Sequence, residues 1–158
     1  MSPQWFSVIV NTQLRALAMD RLTSLDRSKM MAKVRAVDTK PERIVRSVAH
    51  RIGLRFRLHR RDLPGTPDLV FPRHKLVIFV HGCFWHRHEG CARSSLPSTN
   101  VEFWTCKFNR NMERDRVAIA ALEAAGWRVA VIWECQTKDA STLTANLLSL
   151  VRRTERPL

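Results

Sequence analysis

No apolar stretch of this 158-residue chain approaches the roughly 18 residues that cross a bilayer, so a membrane-spanning helix and a membrane partner are not expected. The segment Trp5 to Val10 is too short and too weakly flanked by positive charge for a secretory signal, and no clear cleavage site follows it. A cytoplasmic protein is expected. Internal repeats and low-complexity tracts are absent too, which sets aside solenoids and repeat arrays. Acidic residues are scarce: 14 Asp plus Glu stand against 27 Lys plus Arg, a net charge of +13. That excess is more than solubility requires. It points to a polyanionic partner, nucleic acid before others, whose counterions are released when its phosphates are neutralised. The 45% hydrophobic content is enough for one domain of ordinary size to bury a core.

Only four cysteines are present, but two of them fall in one short window, His81-Gly-Cys-Phe-Trp-His-Arg-His-Glu-Gly-Cys91, which directly follows the apolar run Leu76 to Val80. In a reducing compartment, Cys and His at such spacing ligate zinc more often than they oxidise. Cys83, His88 and Cys91 offer three ligands. Cys135 ends a second apolar segment, Arg128 to Cys135, and is the preferred fourth; Cys106, on a predicted helix, is the less anchored candidate. Four protein ligands leave zinc no open position, so the expected site is structural. Buried, unligated thiols are the alternative. His86 is left free for chemistry, and the aromatic pair Phe84-Trp85 between the ligands needs a separate function.

The rest of the chain reads as a mixed sheet flanked by helices. A weak helical pattern runs through Leu14, Leu17 and Met19. Thr39-Lys-Pro-Glu42 is a capping box with Pro in the first turn, and Ile44, Val45, Val48 and Ile52 line one helical face until Gly53 stops it. Leu54 to His59 alternates apolar with basic residues, as a half-exposed strand does. Asp68 to Phe71 and Lys75 to Val80 should pair as a hairpin across Pro72-Arg-His74. Glu102 to Ala125 is a long predicted helix with Trp104, Phe108, Met112, Ile119 and Leu122 on its apolar side. A strand from Trp127 to Trp133 and an amphipathic helix from Leu143 to Val151 follow.

Asp68 is the acidic residue that stands out. It follows Pro67 at the head of an apolar strand, where a carboxylate is costly unless it binds something, although an aspartate capping a turn is equally compatible with the pattern. Metal-dependent nucleases often place a magnesium ligand in this way. Their next strand usually carries an acidic residue, a spacer and a lysine, and Phe79-Val80-His81 here has neither charge.

The blocks Asp38 to Glu42, Leu63-Pro-Gly-Thr-Pro-Asp68, Val77 to His86, Glu102-Phe-Trp104, Asn111-Met-Glu-Arg-Asp115 and Gly126 to Cys135 resemble the very short patch repair (Vsr) mismatch endonucleases, in matching order and spacing from about residue 22 to 136. The resemblance implies a restriction-endonuclease-like α/β fold with a structural Zn2+ site. It also implies Mg2+-dependent nicking of double-stranded DNA on the 5′ side of the thymine in a T:G mismatch. Such mismatches arise by deamination of 5-methylcytosine, so a functional link to a cytosine-5 DNA methyltransferase is implied. By the same resemblance Asp68 matches the metal-binding aspartate, His86 the catalytic histidine, His81 a second active-site histidine and Glu42 a carboxylate that orients a histidine. Phe84, Trp85 and Trp104 match aromatics that wedge into the base stack. Val80 stands where threonine is usual, which is acceptable if the metal takes only its main-chain carbonyl. Residues 1–22 read as an extension of unassigned role, with Met19 an alternative start, 23–153 as a single endonuclease domain and 154–158 as a tail; a monomer is expected.

The chemistry stands on its own. Phosphodiester hydrolysis needs charge neutralised on a non-bridging oxygen, an activated water in line and help for the leaving 3′ oxygen. Asp68 with the Val80 carbonyl supplies hard oxygen ligands. His86 is suited to accept the water's proton near neutrality, while His81 can stabilise or protonate the leaving side; the pattern does not fix which histidine does which. A carboxylate such as Glu42 can set an imidazole's tautomer, and the capping box accounts for Glu42 equally well. Trp104 fits a core position by its spacing with Phe108. Two other functions remain open. A zinc-stabilised DNA-binding module without catalysis would leave Asp68, His81 and His86 without a purpose. A restriction-type enzyme would cut unmismatched DNA on both strands.

Overall fold

The computed structural model describes residues 37–152; the predicted helical pattern through Leu14, Leu17 and Met19, the N-terminal extension and the C-terminal tail lie outside the described residues. Helix α1 (Lys40–Arg51) starts as the capping box requires: the Thr39 hydroxyl accepts the Glu42 amide, and the Glu42 carboxylate takes the Thr39 amide in return. Three strands follow, β1 (Arg57–Leu58), β2 (Leu69–Phe71) and β3 (Leu76–His81). Helix α2 (Val101–Ala124) then crosses to β4 (Arg128–Trp133), and α3 (Ala140–Arg152) closes the described chain. The sheet order is β1-β2-β3-β4. The first two pairings are antiparallel and the last is parallel. The predicted helix, three strands, helix, strand, helix is therefore observed.

Alternation along β3 divides the core. Leu76, Ile78 and Val80 face one side with Val45, Val48, Leu143 and Leu147, so α1 and α3 share that face. Val77 and Phe79 face the other side with Val70 and Leu122 of α2. Because β3 is buried throughout, it reads as a continuous apolar run, as a strand covered on both faces must.

Two expectations need correction. The alternating segment Leu54 to His59 pairs only at Arg57 and Leu58, opposite Val70 and Leu69. Its partner β2 is three residues long, and His59 turns to a φ of 43°, which takes the backbone out of the extended region. Met112, placed on the apolar side of α2, is instead 40% exposed. The buried stripe of α2 runs Trp104, Phe108, Ala118 and Leu122. The positions that continue it at spacings of four and three are the half-buried Asn111 and Asp115. An apolar stripe that turns polar for two positions and then resumes marks the place where the helix passes a site rather than a core.

Candidate active site

His81 belongs to the series of β3 side chains that face α2, and its ring lies 5.8 Å from that of Phe79. Beyond it the chain folds back in a tight turn, with the His86 amide donating to the Gly82 carbonyl at 3.2 Å. The turn stacks the His86 ring on that of His81, centroids 3.9 Å apart and planes 13° from parallel. From α2, Asp115 meets His86, with Oδ2 2.5 Å from Nδ1. Immediately before the neighbouring strand β2, Asp68 accepts the Val80 amide on Oδ2 at 2.7 Å. Its other oxygen has no protein partner among the described residues. Asp68, Val80, His81, His86 and Asp115 line one cavity of about 810 Å3, together with Glu42, His59, Trp85, Lys107 and Asn111.

Burial pushes the Asp68 carboxyl up to about 6, partly opposed by the Val80 amide that favours the charged form. A hard oxygen donor, half-unpartnered and held at a cost in charge, fits a divalent cation. Burial, and then the adjacent His86, push His81 down to about 4. The His81 ring therefore favours its uncharged form, in which one ring nitrogen still carries a proton and the other a lone pair.

Asp115 was not singled out in the sequence, although it closes one of the quoted motifs; the polar break in the α2 stripe is the signal that exposes it. It takes the position expected of Glu42. Glu42 is buried, but its oxygens are occupied by the Asp38 and Thr39 amides, the Thr39 hydroxyl and Arg46, the last at 2.9 Å. The nearest histidine is His59, with Nε2 4.0 Å away, and Glu42 bonds neither His81 nor His86. The capping box and the Arg46 guanidinium have claimed the carboxylate. Arg46 also bonds Asp38 and approaches His59 Nε2 at 2.7 Å, forming a charged cluster on the edge of the cavity.

Beside the two histidines, the donor atoms of Cys83, His88, Cys91 and Cys135 all lie within 4.8 Å of one another. Register explains the convergence. His81 pairs with Trp133 in the parallel ladder, so the residues two further along each strand, Cys83 and Cys135, leave the sheet side by side. His88 Nδ1 is 3.6 Å from the Cys83 sulfur and 3.4 Å from that of Cys135. Tetrahedral zinc, at about 2.0–2.1 Å from nitrogen and about 2.3 Å from sulfur, places such atoms about 3.5 Å apart. The donor set therefore fits zinc in chemistry and spacing. Burial pushes the Cys83 thiol up to about 12. Cys106 is exposed on α2, outside this group.

The aromatics divide. Phe84 and Trp85 are half-buried, and their rings are 5.0 Å apart. Trp104 is 1% exposed, beneath Phe84 at 5.4 Å and against Phe108 at 5.7 Å. This arrangement supports the pair from below and does not present Trp104 to a ligand, in keeping with its helical spacing.

A carboxylate suited to a metal, a histidine bonded to an aspartate and a strongly basic chain are features compatible with hydrolysis of nucleic-acid phosphodiesters. Comparison with known proteins narrows the class. A family model described as DNA mismatch endonuclease Vsr matches residues 19–93. A type II nicking enzyme, V.XorIIP of Xanthomonas oryzae pv. oryzae, is 52% identical over 132 residues, covering 84% of this chain and 96% of the relative. The DNA mismatch endonuclease Vsr of Escherichia coli K12 is 42% identical over 123 residues, 78% of each chain. A type II nicking enzyme of Neisseria meningitidis serogroup A, V.NmeAIP, is 38% identical over 133 residues, 84% of this chain and 94% of the relative. The chain belongs to the Vsr family of DNA endonucleases. Among the described residues no helix is long and apolar enough to cross a membrane.

The Asp68 carboxyl generates a stability prediction. Its folded value, about 6, exceeds the ordinary unfolded value of about 3.9, so the stability held by the neutral form is complete below about pH 4 and is lost as pH rises through 6. In magnesium-free buffer at pH 7.5, Asp68→Asn is expected to stabilise the protein by about 1–2 kcal/mol, a figure reduced for partial exposure. Urea unfolding of both proteins at pH 7.5 and pH 4 measures this, and a variant less stable than wild type at the higher pH contradicts the burial argument.

Proposed function

We propose that this endonuclease nicks one strand of double-stranded DNA on the 5′ side of the thymine in T:G mismatches left by 5-methylcytosine deamination. The observation that carries the proposal is the sharing of one cavity: Trp85, the candidate wedge, lines the same space as Asp68, His81, His86 and Asp115. Distortion of the duplex and hydrolysis would then occur at one locus. The names of the relatives, mismatch endonuclease and nicking enzymes, support single-strand cleavage over the restriction-type alternative. The fold is read as restriction-endonuclease-like, with residues 23–153 forming one domain.

Asp68 and the main-chain carbonyl of Val80 would hold Mg2+. When bound, that ion supplies charge neutralisation at a non-bridging phosphate oxygen and polarises the phosphorus centre. The remaining work falls to side chains. His86 donates a hydrogen bond from its Nδ1–H to Asp115, which leaves the lone pair on Nε2 to accept a proton from the attacking water; Asp115 then stabilises the imidazolium that forms. The uncharged His81 ring holds His86 in register by stacking and can hydrogen-bond the substrate. Lys107 lines the cavity and, with the wider excess of Lys and Arg, neutralises phosphates. Phe84 and Trp85, set between metal ligands and supported by Trp104, enter the stack where it yields most easily. Unstacking costs a few kcal/mol per step and less at a mismatch. Zn2+ on Cys83, His88, Cys91 and Cys135 would make that loop rigid. The methyltransferase whose product creates the mismatch is the proposed functional partner.

The deciding experiment is a paired nicking assay on one duplex sequence with and without a T:G mismatch, with magnesium. Preferential cleavage of one strand 5′ of the mismatched thymine is expected; equal cleavage of both duplexes, or cleavage of both strands, would refute the reading. Asp115→Asn should lower the nicking rate by about a hundredfold or more while duplex affinity holds, checked by single-turnover kinetics beside a binding titration. For the second metal, Cys135→Ala should lose zinc and stability together, whereas Cys106→Ala should retain one zinc per chain. Metal content by mass spectrometry and thermal unfolding report both.

A further inference from the structure

Gly65 lies in the loop three residues before Asp68, at a φ of +71°. Its surroundings are unusual among the glycines described. A Cβ built on Gly65 would lie 2.6 Å from the Cβ of Ala118 and 3.2 Å from Cζ of Phe79. The first distance is below anything that real side chains adopt, so the loop backbone rests directly on α2 and on β3. Gly53 and Gly126 have similar φ values, +81° and +76°, but a Cβ on either would meet nothing within 4 Å. At those two positions glycine serves backbone conformation alone. At Gly65 it serves conformation and close approach together.

Both surfaces that Gly65 touches lead to the site. Ala118 is one helical turn beyond Asp115 on the same stripe of α2, so it shares that helix's position relative to the sheet. Phe79 is two residues before His81 on the same face of β3, with its ring 5.8 Å from the imidazole. The loop itself continues through buried Pro67 into Asp68. Asp68, His81 and Asp115 come from three different elements, and Gly65 is where those elements meet without an intervening side chain. The 2.5 Å approach of Asp115 to His86 depends on how closely α2 can lie to the sheet.

We infer that Gly65 is a positioning residue for hydrolysis: its missing side chain sets the spacing between the loop of Asp68, the strand of His81 and the helix of Asp115. The inference rests on the proposed roles of Asp115 and His86 and adds the element that brings them into register. An atom added at this contact pushes α2 outward, and the His86–Asp115 bond lengthens first because it spans the gap being opened. Removing an atom from Ala118 reopens the space.

The test uses the full-length, zinc-loaded protein and two readouts. Single-turnover nicking of a T:G duplex measures the rate. The downfield proton signal of His86 Nδ1, bonded to Asp115, is read without DNA. Gly65→Ala is expected to cut kcat by about a hundredfold with KM changed less than about twofold, since a misplacement of about 1 Å is enough for that loss, and to weaken or abolish the proton signal. Adding Ala118→Gly to Gly65→Ala should recover most of the rate and the signal. Gly53→Ala, with the same backbone strain and open surroundings, should leave both unchanged. Ala118→Val crowds the same contact with no left-handed strain and should reproduce the Gly65→Ala effects, so it decides the matter even if Gly65→Ala does not fold. A folded Ala118→Val or Gly65→Ala protein with wild-type kcat and an intact proton signal overturns the inference. A folded double variant with no recovery does so too. Failure of the functional reading is seen separately, in wild-type protein that does not prefer the T:G duplex or in His86→Ala protein that still nicks.

Discussion

The parallel pairing of β3 with β4 is the contact from which the site derives. Six residues on each strand run in step, from Leu76 opposite Arg128 to His81 opposite Trp133. The two histidines and the clustered thiols then lie at the ends of these two strands, at the same level. Cys83 and Cys135 emerge at matching offsets, His81 remains on the last position of the ladder, and His86 is carried back over it by the turn. A parallel pair cannot be joined by a short hairpin, so the crossover has to be made by something long. That connection is α2, which brings Asp115 to His86 in passing. A one-residue slip in this ladder would turn His81 to the opposite face of the sheet and separate the thiols.

The site is assembled at a cost to the metal-free protein. Asp68 and His81 are both buried enough to favour their uncharged forms, the first raised to about 6 and the second lowered to about 4. At neutrality the Asp68 shift opposes folding, because the carboxyl must ionise inside the protein, whereas the His81 shift costs stability only as pH falls below about 6.5, where the unfolded imidazole takes up a proton. Strain of this kind belongs to sites that a ligand completes, and on the proposed reading the missing charge would arrive with the cation and the substrate phosphate. By contrast, Arg46 satisfies Glu42 internally, which explains why that carboxylate takes no part in the histidine pair.

Much of this was legible in the chain. The order of elements followed from periodicity and caps, because Thr39 with Glu42, Gly53 and Gly126 punctuate the helices by local rules. The ligand group Cys83, His88, Cys91 and Cys135 was legible because strand ends fix where their first neighbours go. What escaped depended on distance in space. Asp115 lies 29 residues from His86, and only the tertiary placement of α2 joins them. The short β1 depended on the φ of His59, a residue type that gives no warning of a left-handed turn. Trp104 had two readings that spacing alone did not separate, and burial beneath Phe84 separates them.

The interleaving within residues 83–88 has a further consequence. The candidate metal ligands, wedge aromatics and base alternate there as Cys83, Phe84, Trp85, His86 and His88, so a change in one of them reaches the others. On the proposed reading, oxidation of a single thiol or removal of the ion would release the wedge and the base at the same moment. A nuclease that first lost its lesion sensor would attack intact chromosomes. On the same reading, loss of the wedge also removes the base, and a damaged molecule would lose cleavage together with recognition.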